Sequence, residues 1–410
     1  MTASQAVAQT EVGMKERLRE EIQADLQNNI LPYWEKYTVD PRGGFYGTVS
    51  RDGKPNEEAP KGEVLNARIL WTFSTAYRML GEERYKELAD RAQGYFIDHF
   101  FDGVNGGVYG SVTAEGLPLD TIKHLDGIAY AIYGFSEHFR ATGNVESLQK
   151  AIELYRIIEN KGKDKVKRGY FDAFPASWGS PNVLGGRNAV TASATKSMNT
   201  HIHVLEAYAN LYRVWRDMEL SKQLGEVIQL ITDKIFNPDT GHLRCYFDSE
   251  WNPLGDTDSY GHEIETSWML YDAALTLNDP KLIDKSARVA KAICDAAMRD
   301  GLNEMGGMTV EMNHLTGRAR RSMSWWGQTE TVNGCIYAWK ISGDDSYLQA
   351  ASKTWDFIKE HFIDKECGEW FRTCREDGTP VENEAKCSAW NCPYHNTRMG
   401  FVVMENFPKE

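Results

Sequence analysis

The stretch GGFYG at residues 43–47 returns as GGVYG at 106–110. It recurs more loosely as RGYFDAF at 168–174, TGHLRCYF at 240–247, GGMTVEM at 306–312 and CGEWFRTC at 367–374. Counted on Gly44, Gly107, Gly169, Gly241, Gly307 and Gly368, the intervals are 63, 62, 72, 66 and 61 residues. Self-similarity at a fixed period marks a chain built from one repeated supersecondary unit. Six such units fill the 410 residues, and no Pro/Ser-rich linker divides them. One domain spanning 1–410 is therefore expected, with residues 1–12 as a flexible tail.

Four of the stretches run on into a turn and a proline, as SRDGKP, TAEGLP, DSEWNP and REDGTP. A strand, an Asp-Gly-type turn and a short return predict a β-hairpin. Between hairpins lie paired helical patterns at 64–80 and 83–100, 122–139 and 145–160, 199–215 and 220–236, 262–277 and 280–297, and 325–340 and 346–362. A helix over roughly 13–37 and another from about Tyr394 bring the number to twelve. The second member of each pair is amphipathic, whereas the first is apolar nearly all round and must be buried. Six buried helices alternating with six half-exposed ones form two concentric layers. The predicted fold is all-α, an (α/α)6 barrel or six-hairpin toroid, with short β-hairpins at one end. An open solenoid would need polar capping repeats, and none is visible.

Composition narrows the function. With 41% hydrophobic and 26% charged residues the chain is an ordinary globular one. A net charge of -13 repels phosphate backbones, so no nucleic-acid partner is expected. No apolar run reaches the roughly 18 residues of a membrane helix, and no secretory signal opens the chain. The expected location is cytoplasmic, as a monomer or homodimer. Seven cysteines without a CxxC pair read as reduced thiols, and a structural zinc at Cys367, Cys374, Cys387 and Cys392 is not favoured.

In a toroid the inner helices all run the same way, so their N-terminal ends share one mouth. Polar residues concentrate there: Asn66 and Arg68; His124 and Asp126; Asn199, His201 and His203; His262 and Glu265; Trp325, Trp326, Gln328 and Glu330; Trp390, His395, Asn396 and Arg398. Six segments distant in sequence thus deliver polar and aromatic groups to one place, as a buried polar site requires. Arg68 between Ala67 and Ile69 is costly unless it meets an anion or a ligand oxygen. Trp326 and Trp390 offer flat faces for a sugar ring. The His262–Glu265 spacing resembles a metal-ligand pair, but carboxylates are sparse elsewhere, and neither a metal nor a cofactor is expected.

The mouth is richer in histidine than in carboxylate, which disfavours a two-carboxylate glycosidase. Imidazoles titrate near pH 6.5 and serve as acid or base around neutrality. His262 and His395, on different helices, suit removal of a proton beside a carbonyl on one face and its return on the other. Arg68 and His203 would support the enediolate, and Glu265 would orient a histidine.

The strings LNARILW, SMNTHIHVLEAYANLYRVW, GHEIETSW, WWGQTET and WNCPYHNTRMG resemble the N-acylglucosamine 2-epimerase superfamily, nearest its cellobiose and mannose 2-epimerase branch. The likeness runs from about residue 20 to the C-terminus. It implies an (α/α)6 barrel and cofactor-free interconversion of glucose-type and mannose-type C2 configurations through a cis-enediol. It also implies an acid/base pair at His262 and His395, with His203, Arg68 and Glu265 essential. Asn199, Trp326 and Trp390 are then substrate-binding, joined by Asp126 and His124 from the residue reading. The sequence departs from that branch at Leu125 to Ile128 and at Met308 to Val310. An aldose–ketose isomerase and a non-catalytic binding protein are the alternatives on the same fold. The connection from Pro175 to Lys196 is long and rich in small residues, and is expected at the rim as part of a lid.

Overall fold

The structure is a computed structural model that describes residues 3–181 and 193–409, with side chains from Val12 onward. The middle of the expected lid, residues 182–192, lies outside the described residues. Helices α1 (Ala3–Asp25) and α2 (Leu31–Tyr37) are joined by a π turn at Leu26–Ile30. The turn sits just before Pro32, whose missing N–H interrupts the regular ladder. The first helix thus begins at Ala3 rather than near residue 13, so residues 3–12 are helical where a tail was expected.

The remaining helices are α3 (Glu63–Leu80), α4 (Glu83–Phe100), α5 (Leu125–Thr142), α6 (Val145–Ile157), α7 (Met198–Val214) and α8 (Met218–Leu230). They are followed by α9 (Tyr260–Leu277), α10 (Pro280–Gly301), α11 (Trp325–Ser342), α12 (Ser346–His361) and α13 (Tyr394–Asn406). Packing runs α3 to α5, α7, α9, α11, α13 and back to α3, so the inner ring is closed. The outer helices lie against their inner partners, and α1 packs on α13 and α12.

Burial follows the sequence pattern. Every residue from Glu63 to Ala76 of α3 is buried. On α10 only one stripe is, including Ser286, Val289, Ala290, Ile293, Cys294 and Ala297. Four inner helices end on a left-handed residue, Gly81, Gly143, Gly343 or Asn278, which turns the chain sharply into the outer partner.

The hairpins are shorter than the sequence suggests. Strands span two or three residues, and the GGFYG and GGVYG stretches make single bridges, Val39 to Phe45 and Phe101 to Val108. Five of the six marker glycines have a left-handed backbone, with φ of 59° at Gly44, 80° at Gly107, 79° at Gly169, 84° at Gly241 and 80° at Gly368, and in the remaining unit Gly306, one residue before the marker, takes that conformation at 96°. The strands stitch units together just before the inner helices: β1 (Lys61–Gly62) pairs with β2 (Ser111–Val112), and β3 (Lys123–His124) with β4 (Ala173–Phe174). A bridge between Val49 and Cys387 joins the first unit to the last.

Candidate active site

The two histidines expected as acid and base come from opposite ends of the chain's second half, and both lie against one indole. The His262 ring centroid is 4.7 Å from Trp326 and that of His395 is 5.5 Å from it. Gly261 makes this possible, since a Cβ there would come within 2.6 Å of the Trp326 ring. His262 Nδ1 meets Ser259 Oγ at 2.7 Å. His395 Nδ1 donates to Glu330 Oε1 at 2.7 Å, which leaves Nε2 as the basic nitrogen. Burial pushes both imidazoles down to about 3. Arg68 lowers them further, together with His203 at His262, while Glu330 works in the opposite direction at each. Both are neutral bases at pH 7.

Beside them, one side chain from each inner helix joins a single buried network: Arg68, Tyr130, His203, Glu265, Glu330 and Arg398. Arg68 is sandwiched between Tyr130 and Tyr394, with its guanidinium 4.2 and 4.8 Å from the ring centroids, and donates to the Tyr130 hydroxyl. Among the described residues its Nε–H has no partner. The Tyr130 hydroxyl also lies 2.7 Å from His203 Nε2, and His203 Nδ1 lies 3.4 Å from Glu206. Arg398 is the hub. It donates to Glu206 at 2.7 Å, Glu265 at 2.5 Å and Glu330 at 2.7 Å. Burial pushes the Glu265 carboxyl up to about 7, and its neighbour Glu330 adds to this. Burial would raise Glu330 as well, but Arg398 and His395 outweigh it and hold that carboxyl well below the usual range.

Glu265, Glu330 and His395 present potential metal-ligand atoms within 4.8 Å of one another. The Arg398 guanidinium already spans both carboxylates and supplies the positive charge that an ion would bring there.

The remaining expected residues sit at the rim. Asp126 accepts from Asn199 Nδ2 at 3.1 Å. Together with His124 and Trp390 they line a cavity of about 420 Å³, in the size range of small-molecule sites. Trp390 is 59% exposed, and His124 lies 3.6 Å from Asp120.

Several residues placed at the mouth by sequence face the other way. His201 Nε2 accepts the backbone N–H of Tyr170 at 3.0 Å, and Gln328 Oε1 accepts that of Met308 at 2.6 Å. Asn396 donates to Glu369 at 2.8 Å, and Asn66 to the carbonyl of Gly62 at 2.8 Å. These groups clamp the hairpin turns behind the helices. His242 lies there too, against Glu263. Conversely, Tyr130, Glu206 and Tyr394 belong to the polar centre but are not among the residues expected at the mouth, and Glu330 and Arg398, expected there without a role, are its hub. The available signal was their register: Glu265 follows His262, and Arg398 follows His395, by three residues, about one helical turn.

A family model for N-acylglucosamine 2-epimerase (GlcNAc 2-epimerase) matches residues 44–398. A cellobiose 2-epimerase of Bacteroides fragilis is 46% identical over 94% of this chain and 98% of its own. Another, of Dictyoglomus turgidum, is 36% identical over 95% and 98%. The solved structure of a cellobiose 2-epimerase from Bacillus thermoamylovorans superposes with a TM-score of 0.90 at 34% identity, covering 95% of this chain and 99% of that one. With a toroid closed through α13, and with family likeness across nearly its whole length, the chain belongs to the N-acylglucosamine 2-epimerase family and is a carbohydrate 2-epimerase, an isomerase.

Proposed function

We propose that this enzyme interconverts the glucose- and mannose-configured forms of a reducing sugar at C2, with cellobiose as the substrate its cavity suits. The observation that carries this is the pair of neutral imidazoles, His262 and His395, on one indole above a fixed arginine–carboxylate network. Full-length cellobiose 2-epimerase relatives support the disaccharide. So does the size of the cavity beside Trp390, which is that of a small-molecule site and is lined by Asn199, Asp126 and His124.

In the proposed cycle the sugar opens to its aldehyde and stacks on Trp326. One imidazole takes the C2 proton, and the electron pair moves into a C1–C2 double bond, leaving negative charge on O1. Arg68, with an Nε–H left over after its contacts to Tyr130 and Cys392, stabilises that charge as it develops. The opposite imidazole, protonated from solvent and favoured as a cation by the enediolate, delivers a proton to the other face of C2. The double bond returns to the C1 carbonyl and the ring closes as the epimer. Glu330 orients His395 and supports its charged form. His203, held between Tyr130 and Glu206, fixes the Tyr130 hydroxyl beside Arg68.

The test is incubation with cellobiose, mannose, glucose and N-acetylmannosamine in deuterium oxide, followed by NMR. Deuterium at C2 of an epimeric product is expected, with cellobiose turned over fastest. Ketose as the sole product would place proton return at C1 and make the enzyme an aldose–ketose isomerase.

A further inference from the structure

Four of the six units carry the same buried ion pair behind the inner helix. Lys61 meets Asp40 at 2.8 Å, Lys123 meets Asp102 at 2.7 Å, Lys196 meets Asp164 at 2.7 Å and Lys386 meets Asp364 at 2.9 Å. Lys61, Lys123 and Lys196 tie the strand before the helix to the start of a glycine turn, and Lys386 does so from the loop before α13. The fifth unit has a neutral version, in which Asn303 donates to the Met323 sulfur at 3.3 Å. The fourth unit reverses the arrangement. Asn237 stands where the turn aspartate would be, and Asp258 stands where the lysine would be. The fold's usual cation is thus replaced by a carboxylate, and other ionisable groups have gathered around it.

His314 Nε2 lies 2.6 Å from Asp258 Oδ2, and His242 Nε2 lies 3.6 Å from the same oxygen and 2.9 Å from Asp300 Oδ2. Behind His242, Glu263 Oε2 accepts from Nδ1 at 2.8 Å, and Glu263 Oε1 is itself fixed by the Leu243 N–H at 3.2 Å. A cavity of about 750 Å³ opens beside the cluster.

We propose that this cluster is a binding site for a divalent transition metal of the zinc class. Its ligands are His242 Nε2, His314 Nε2, Asp258 and Asp300, with Glu263 as the carboxylate that orients His242. Two imidazoles with two carboxylates suit zinc rather than calcium or magnesium, which prefer all-oxygen shells. Ligand atoms around a tetrahedral zinc lie about 3.3 Å apart; the His314–Asp258, His242–Asp300 and His242–Asp258 pairs stand at 2.6, 2.9 and 3.6 Å, and His242, Asp258 and Glu263 offer ligand atoms within 4.8 Å of one another. A carboxylate on the far nitrogen of a ligating histidine is the usual supporting arrangement, and Glu263 provides it. The four ligands come from a glycine turn, the strand Thr257–Ser259, the end of α10 and the turn after Glu311–Asn313, so an ion would tie four segments together. Asp300 and His314, 37% and 43% exposed, give the entry path.

A competing cation is already close. Arg299 donates to Asp300 at 2.5 Å and approaches His242 Nε2 at 3.3 Å, but it is more than half exposed and has room to swing away. Protonated His242 is the other competitor, so metal uptake releases a proton.

The test uses the full chain freed of metal by a chelator and titrated with zinc chloride by calorimetry. Cobalt absorption serves as a geometric probe and melting temperature as a stability readout. Binding of one zinc per chain is expected, with a higher melting temperature and a tetrahedral cobalt spectrum. His314→Ala and Asp300→Asn, both at half-exposed positions that should not disturb folding, should each weaken zinc at least tenfold. Arg299→Ala should tighten it, and His395→Asn should leave it unchanged. Three results would overturn the proposal: no zinc binding, equal binding of calcium, or binding lost in His395→Asn but kept in His314→Ala. The last would assign the ion to the catalytic cluster.

Discussion

On α9, His262 and Glu265 face the lumen while Glu263, between them in sequence, faces the hairpin behind. On α7, His203 reaches Tyr130 in the centre, whereas His201 holds the Tyr170 backbone on the outside. These two faces of the same helical turns have the same residue types and similar burial, yet their partners differ in kind. Lumen groups pair mainly with side chains from other helices, and His262, His395 and Arg68 each keep an unshared nitrogen or N–H. Outward groups are held by the hairpin behind them, His201 and Gln328 by its backbone and Glu263 and Asn396 by its side chains. Buried polar residues are therefore not sorted into chemistry and structure by type or depth, but by whether the fold leaves them capacity to bind something else.

The sharpest way to break this contrast is to exchange the same residue type on the two faces. His395→Asn or His262→Asn should lower kcat by about 10³-fold or more, the upper range for general acid–base groups, with an unchanged helical circular dichroism spectrum. His201→Asn should instead leave kcat per folded molecule intact. It should cost about 1–3 kcal/mol in urea unfolding, because the Tyr170 N–H loses its buried acceptor. Wild-type turnover in either lumen variant would erase the distinction.

Glu330→Gln tests the network one step back. Removing the charge that orients His395 and pairs with Arg398 should cost on the order of 10²-fold in kcat with little change in KM. A purely structural role would show as lost stability alone. Gly261→Ala comes next. Its Cβ would strike Trp326, and overpacking of this kind costs about 1–3 kcal/mol, read as a lower kcat/KM for every sugar.

The pH dependence separates the faces with a smaller signal. His262 and His395 are pushed from 6.5 down to about 3 in the folded chain, so the unfolded chain binds their protons first. Their contribution to stability is present above pH 6.5 and is lost as the pH falls from there toward 3. The double His→Asn variant should have a flatter melting curve across that window than the wild type. Trp390→Ala should have the smallest effect. Loss of a stacking face worth about 0.5–1.5 kcal/mol should raise KM for cellobiose a few-fold and leave monosaccharide turnover unchanged.

Much of the architecture was legible because it rests on local rules. A left-handed backbone at the turn demands glycine, so the six units could be counted from Gly44 to Gly368. Burial on all sides strips charge from a helix, so α3 differs visibly from α4. The hairpins were overestimated because turn motifs report the turn, not how far its strands pair. The first helix runs from Ala3, ten residues before the start near residue 13 that the apolar periodicity predicts.

The chain alone thus determined how many units there are, that the inner helices alternate with outer ones, and which residues were candidates for the site. It could not say which of two polar residues on one turn looks inward. Neighbours two positions apart point about 200° from each other, and only the closed ring defines where the lumen lies. Nor could it pair Glu330 with His395 and Arg398, 65 and 68 residues away, because such partners are chosen by the packing of α11 against α13 rather than by anything local.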